Sequence, residues 1–260
     1  MLKVAAGIIH GRDTYLAETV ASLDNQVNAV YIWNNTPALD LPGCLHHNLG
    51  LGENFGGGRA GYELLREAEG YGYDALVLSN DDVICLPGYV EAAVKILEEH
   101  PRVAYVSTPS TNLGPFPMIQ EDSDGIVNSQ GCVEGYVLEM ASVAPVIRLK
   151  AAKEVGFWPT WYFLHSVETD FCWRLWASGW KVWQLKDEYL KHHEGQQGAD
   201  ILKGDKQAII QQDTWRLFRQ WRTLPLARWM EIKKVAPFLY KYVFVKHHLC
   251  SHYGIRPEEA

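Results

Sequence analysis

The chain has 260 residues, 47% hydrophobic and 21% charged, with a formal net charge of −7. This is globular composition, suited to one large α/β domain with or without a helical appendage, and no segment approaches the ~20 apolar residues that span a bilayer. The charge is uneven: nine Lys/Arg against four acids from Asp213 onward give the tail +5 and leave the first 212 residues at −12. An acidic body argues against a nucleic-acid partner, whereas a basic tail suits an anionic surface.

The opening run MLKVAAGIIHGRD is apolar, short and stopped by charge, so it reads as a first strand and not as a secretion signal. Leu16, Val20 and Leu23 then keep helical spacing. A second strand from Ala29 to Trp33 ends at the polar turn Asn34-Asn35-Thr36-Pro37. A glycine-rich stretch from Asn48 to Gly61 leads into a helix through Tyr62, Leu64 and Leu65. Its glycines are expected to let backbone approach a ligand, with Arg59 placed to neutralise a diphosphate. The stretch lacks the GxGxxG register and follows the second strand, which disfavours a nicotinamide cofactor.

Asp74 to Ser79 is a buried strand that runs into Asn80-Asp81-Asp82. Adjacent carboxylates at a strand exit repel unless a cation or hydrogen bond compensates, and a hard divalent cation would do so. A helix from Tyr89 to His100 and a strand from Val103 to Ser107 follow. Residues 110–135 are rich in Gly, Pro and polar side chains and read as a long excursion, a mobile loop or a small antiparallel part. Beyond it come a strand over Val143 to Leu149, a short helix to Val155, a helix from Glu168 to Ser178 and a strand over Trp180 to Leu185. The alternation implies βαβ units and a mainly parallel sheet, whose ligands gather at the carboxyl ends of the strands.

Two further groups carry chemistry. His192-His193 follows the last strand, and a neutral imidazole can complete a metal shell. Glu168 stands beside the aromatic loop Trp158 to His165, where a carboxylate is expected to have a raised pKa and serve as general base. Asp170 can pair with Arg174 one turn on. Trp158, Trp161, Tyr162, Phe163 and His165 are candidates for an acceptor platform, because sugar rings stack on aromatic faces, with core packing as the alternative; Trp161, His165 and Asp170 are the expected acceptor contacts. The five cysteines are scattered and form no CxxC pair, which reads as free thiols in a reducing compartment.

The order of these motifs resembles the inverting family-2 glycosyltransferases. The matching series is Gly11-Arg12-Asp13, Asn34-Asn35-Thr36, Asn54 to Gly61, Asn80-Asp81-Asp82, Val143 to Arg148, Gly156-Phe157, Glu168-Thr169-Asp170 and His192-His193-Glu194-Gly195. It covers roughly residues 3–200, and its pattern is most similar to rhamnosyl- and galactofuranosyltransferases. The resemblance implies a GT-A fold, a Rossmann-like mixed sheet flanked by helices with a C-terminal helical extension. It implies a Mg or Mn ion held by Asp82 and His192, with His193 as the alternate ligand, and Glu168 as the general base. Donor contacts fall on Arg12, Asn34, Asn54, Arg59 and Asp81. The implied reaction moves a sugar from a nucleotide diphosphate to a hydroxyl of a glycan or lipid-linked acceptor, in polysaccharide or cell-envelope synthesis. Asn80 departs from the family pattern where an acid is usual.

Residues 1–212 are thus expected to form the catalytic domain and 213–260 a basic aromatic extension. The extension interleaves Trp215, Phe218, Trp221, Trp229, Phe238, Tyr240, Tyr242 and Phe244 with Arg and Lys, and is expected to touch a membrane surface. Packing of those rings on the catalytic domain or on a second subunit, as in a homodimer, is the alternative. The location implied is cytoplasmic, on the inner face of the plasma membrane. A non-catalytic nucleotide-sugar or carbohydrate-binding protein and a sugar nucleotidyltransferase are the competing readings.

Overall fold

The structure is a computed structural model. It describes residues 1–11, 14–35, 47–49, 53–109, 117–120, 125–128, 134–140, 143–193 and 206–259, with the backbone alone for 47–49, 117–120 and 125–128. Arg12, Asp13, Glu194 and Gly195 lie outside the described residues, as do Cys44 and Cys132.

An eight-stranded sheet forms the centre, in the order β3-β2-β1-β4-β10-β6-β11-β9. Its strands are β1 (Val4–His10), β2 (Ala29–Asn34), β3 (His47–Leu49), β4 (Ala75–Asn80), β6 (Val103–Ser107), β9 (Gly135–Tyr136), β10 (Val146–Arg148) and β11 (Lys181–Gln184). Six strands share one direction, and β10 and β9 run against them. Successive side chains on a strand point to opposite faces, and both faces here are apolar. On β4, Ala75 and Val77 join a core with Ile8, Leu16, Leu23 and Leu97, while Leu76 and Leu78 join another with Leu64, Tyr105 and Phe171.

The first face is covered by α1 (Leu16–Asp24) and α3 (Tyr89–Glu99), the second by α2 (Gly56–Gly70), α4 (Leu149–Glu154) and α5 (Val167–Ala177). Two small antiparallel pairs complete the described strands. β5 (Val83–Cys85) pairs with β12 (Leu190–His192), and β7 (Pro117–Gln120) pairs with β8 (Gly125–Asn128). The second pair lies in the excursion expected over 110–135 and realises its antiparallel alternative.

The C-terminal segment is helical, with α6 (Lys206–Arg222), α7 (Leu226–Val235) and a short turn Pro237–Leu239 that runs into a π-helical stretch, Tyr240–Lys246. The boundary expected at 212/213 falls inside α6. Most of the rings expected to meet a membrane lie within the protein: Trp221, Trp229, Phe238, Tyr240 and Phe244 are buried in the core that also holds Phe171 and Trp173, whereas Trp215 is exposed. The packing alternative therefore describes these rings. Among the described residues, no helix is long and apolar enough to cross a membrane.

Candidate active site at the carboxyl ends of the strands

Strand register brings the first set of candidates together. His10, the last residue of β1, stands opposite Asn34 at the end of β2, and Ile9 stands opposite Asn80 at the end of β4. The chain then turns through Asp81 and Asp82, both buried. Asp81 Oδ2 accepts the Gly11 backbone N–H at 2.6 Å and lies 3.2 Å from His10 Nδ1, which is wholly buried. The Thr19 hydroxyl donates to the Asp81 carbonyl at 2.9 Å, tying α1 to the same turn. Asp81 thus fixes the exit of β1 beside the exit of β4. His10 was not singled out in the sequence, because it closes an apolar run and looks like the start of a turn.

The β5–β12 pair positions the second carboxylate. His192 is the register partner of Val83, and the His193 N–H donates to the Asp82 carbonyl at 3.0 Å. This places His192 Nε2 3.3 Å from Asp82 Oδ1, a buried oxygen that accepts no hydrogen bond from the described residues. The alternate ligand, His193, has its ring stacked on Tyr15, with centroids 4.2 Å apart and planes 6° apart. A buried carboxylate oxygen without a hydrogen bond, facing an imidazole nitrogen, fits a divalent cation of the Mn type. Among the described residues, no group of three or more His, Cys, Asp and Glu converges on one point, so phosphate or water oxygens would have to complete the shell.

The second set surrounds the loop between α4 and α5. Phe157 and Ser166 take left-handed backbone conformations at φ 61° and 63°, and they bracket residues 158–165. Such non-glycine positions are strained and persist only where packing holds them. Asp213 of α6, fully buried, supplies that hold: its Oδ2 accepts the N–H groups of Phe163, Leu164 and His165 at 3.1, 2.9 and 3.0 Å. The sequence hid this anchor, since one aspartate in a charged amphipathic helix looks like a solvated residue.

The glycine-rich stretch serves the same loop. A Cβ on Gly56 would sit 2.5 Å from Phe163 O, one on Gly61 2.6 Å from Trp158 Cδ1, and one on Gly58 against the Tyr162 and Pro159 carbonyls. The Gly57 N–H donates to Phe163 O at 2.9 Å. Gly56, Gly58 and Gly61 let α2 approach the loop, whereas Gly50 and Gly52 of the same stretch lie outside the described residues. Asn54 Oδ1 accepts the Gly56 N–H at 2.9 Å, and Arg59 Nη2 pairs with Glu63 Oε1 at 2.5 Å. Both residues therefore have local partners on the α2 side.

Glu168 lies in the first turn of α5, partly buried, and burial raises its carboxyl to about 7, opposed by its own backbone N–H at the helix start. Trp161 and His165 are exposed on the loop. Asp170 is different. It is 0% exposed, and its two oxygens accept from Arg174 Nε at 3.1 Å and Trp221 Nε1 at 2.7 Å. That geometry bolts α5 to α6 and engages both oxygens of the residue expected at the acceptor contact. A second raised carboxyl, Glu139, is pushed by burial to about 7 against the opposing Trp173 indole.

The fold is that of the GT-A glycosyltransferases. Neither a protein-family model nor a curated protein sequence matches the chain. Solved structures match in three dimensions at low identity. TarS residues 1–349 from S. aureus in complex with UDP-GlcNAc matches with a TM-score of 0.63 at 13% identity, covering 95% of this chain and 72% of that one. A Pyrobaculum calidifontis mannosyltransferase in complex with GDP-Man and Mn²⁺ matches with a TM-score of 0.61 at 12% identity, over 94% and 69%. GalNAc-T7 with UDP, GalNAc and Mn²⁺ matches with a TM-score of 0.64 at 11% identity. This chain spans 98% of itself there but 52% of that protein.

Proposed function

We propose that the protein is a nucleotide-sugar glycosyltransferase that uses a divalent cation and inverts the anomeric centre. The observation that carries this reading is the meeting of Asp82 Oδ1 and His192 Nε2, 3.3 Å apart, at the carboxyl end of a GT-A sheet. Structural neighbours with UDP-GlcNAc, or with GDP-Man and Mn²⁺, support a nucleotide-sugar donor and a cation. Asp82 and His192 would hold the cation, which when bound acts as a Lewis acid toward the donor diphosphate. Arg12, Asn34, Asn54, Arg59 and Asp81 are the proposed donor contacts. Among them, Asp81 acts through the His10 and Gly11 contacts that fix its place.

Glu168 is the proposed general base. Its carboxyl, raised to about 7, is basic enough when ionised to take the proton of an acceptor hydroxyl. As the proton leaves, the hydroxyl oxygen attacks the anomeric carbon, and the nucleotide diphosphate departs from the opposite face. Trp161 and His165 border the acceptor, a glycan or lipid-linked sugar, on a loop that Asp213 holds in place.

The test is incubation with a panel of UDP-, GDP-, ADP- and dTDP-sugars with and without Mn²⁺, scored for free nucleotide diphosphate. Release from at least one donor, lost on chelation, is the expected result. Binding of a nucleotide sugar with no release from any donor or acceptor favours the non-catalytic reading, which the engagement of Asp81 by His10 and Gly11 supports because it leaves Asp82 as the remaining carboxylate of that turn.

A further inference from the structure

Helix α6 has two unlike faces. Asp213, Leu217 and Trp221, spaced by four, are buried. Gln212, Trp215, Arg216, Arg219, Gln220 and Thr223 follow the other helical stripe and, with Trp161, line a surface groove of about 490 Å³. Trp161 and Trp215 are 43% and 59% exposed, and they stand out in a protein that buries most of its large aromatic rings. The Arg219 guanidinium lies 4.9 Å from the Trp215 ring centroid, a cation–π contact, and Arg219 is exposed. Arg216 is braced by the Trp161 carbonyl at 3.0 Å and Asp213 Oδ1 at 3.2 Å. Among the described residues, the lining contains two guanidinium groups, of which Arg216 is paired with Asp213 behind it, and no carboxylate.

We propose that this groove binds an anionic glycan chain, the extended part of the acceptor. The acceptor part of this inference rests on the transferase reading above. Exposed indoles offer flat faces to sugar rings, and guanidinium groups recognise carboxylate or phosphate substituents by paired hydrogen bonds. A concave, charge-lined groove suits a chain better than a bilayer, because most of the rings that would enter lipid are already buried in the core. Continuity also favours it. Trp161 opens the stretch whose next residues Asp213 clamps, and that stretch leads directly into α5 and Glu168.

Isothermal titration with hexagalacturonate, phosphorylated maltohexaose, plain maltohexaose and phosphatidylglycerol vesicles decides the matter. One or both anionic oligosaccharides should bind at least about tenfold more tightly than plain maltohexaose, with affinity that falls as salt rises. Whichever of the two binds identifies the carboxylate or the phosphate arm. Trp215→Ala and Arg219→Ala, both at exposed positions, should each weaken that binding about tenfold while thermal stability and nucleotide-sugar binding stay unchanged. Equal affinity for charged and neutral oligosaccharides, or variants that bind as wild type, overturns the inference. So does vesicle binding that these variants abolish while the oligosaccharides do not bind. If no nucleotide sugar is turned over yet the anionic oligosaccharide binds through Trp215 and Arg219, the transferase reading fails and the groove stands.

Discussion

His192 Nε2 lies 3.3 Å from Asp82 Oδ1 because a three-residue strand pairs with the strand that leaves the acidic turn. The two side chains come from positions 110 residues apart, and neither belongs to the main sheet. The β5–β12 pair is therefore the element that brings an imidazole to the carboxylate of the proposed cation site.

Of the two neighbouring histidines, His192 should matter more. His192→Ala should weaken cation-dependent nucleotide binding by about tenfold or more, since a metal site losing one of two protein ligands loses affinity directly. His193→Ala should change it less, because that ring stacks on Tyr15. Titration of Mn²⁺ in the presence of UDP or GDP compares the two, and the reverse ranking rejects the assignment.

Glu168→Gln should lower turnover by about 10²–10⁴-fold with donor affinity retained, as expected for loss of a general base. The wild-type kcat/KM should rise with pH through a limb near the raised value of about 7, where Glu168 ionises. A profile flat from pH 5.5 to 8 removes Glu168 from this role.

The same carboxyl links pH to stability. A raised folded value means that the unfolded chain gives up this proton first as pH rises. Relative to Glu168→Gln, the wild type should be most stable below the ordinary carboxylate range. It should then lose stability toward pH 7, at up to about 1.4 kcal/mol per pH unit, and run level above that. Urea unfolding at pH 4.5, 6 and 8 measures it, and a constant difference rejects the burial of Glu168.

Much of this arrangement was legible in the sequence, and what was hidden has physical reasons. β1, β2 and β4 announce themselves as apolar runs ending in polar residues, so Asn34, Asp81 and Asp82 were placed at strand ends correctly. β5 and β12 have three residues each, too few for any periodicity to register. The partnership of His10 with Asp81 spans 71 positions and leaves no local pattern. The tail left two readings open because an amphipathic aromatic helix looks the same whether its apolar stripe faces lipid or, as with Trp221 and Trp229, a protein core.

Asp213→Ala should destabilise the fold by about 3 kcal/mol or more, because three backbone N–H groups and Arg216 lose their charged acceptor at once. Asp213→Asn should be milder, keeping an oxygen in place. Urea midpoints compare the two, and a neutral Asp213→Ala shows that the loop is held by other means.

Two glycines of α2 should respond in opposite directions. Gly61→Ala drives a Cβ to within 2.6 Å of Trp158 Cδ1, an overpacking that costs about 1–3 kcal/mol. Gly70→Ala meets nothing within 4 Å and should be neutral, or stabilising by up to about 1 kcal/mol. Equal thermal shifts in the two variants contradict the close approach of α2 to the loop.

The most direct measurement is calorimetric titration of UDP- and GDP-sugars into wild type and Asp82→Ala, each with and without Mn²⁺. At least one donor should bind wild type more tightly with Mn²⁺, and Asp82→Ala should abolish that gain. If no nucleotide sugar binds, or if Mn²⁺ and Asp82→Ala leave affinity unchanged, a cation-dependent transferase site at Asp82 and His192 is contradicted.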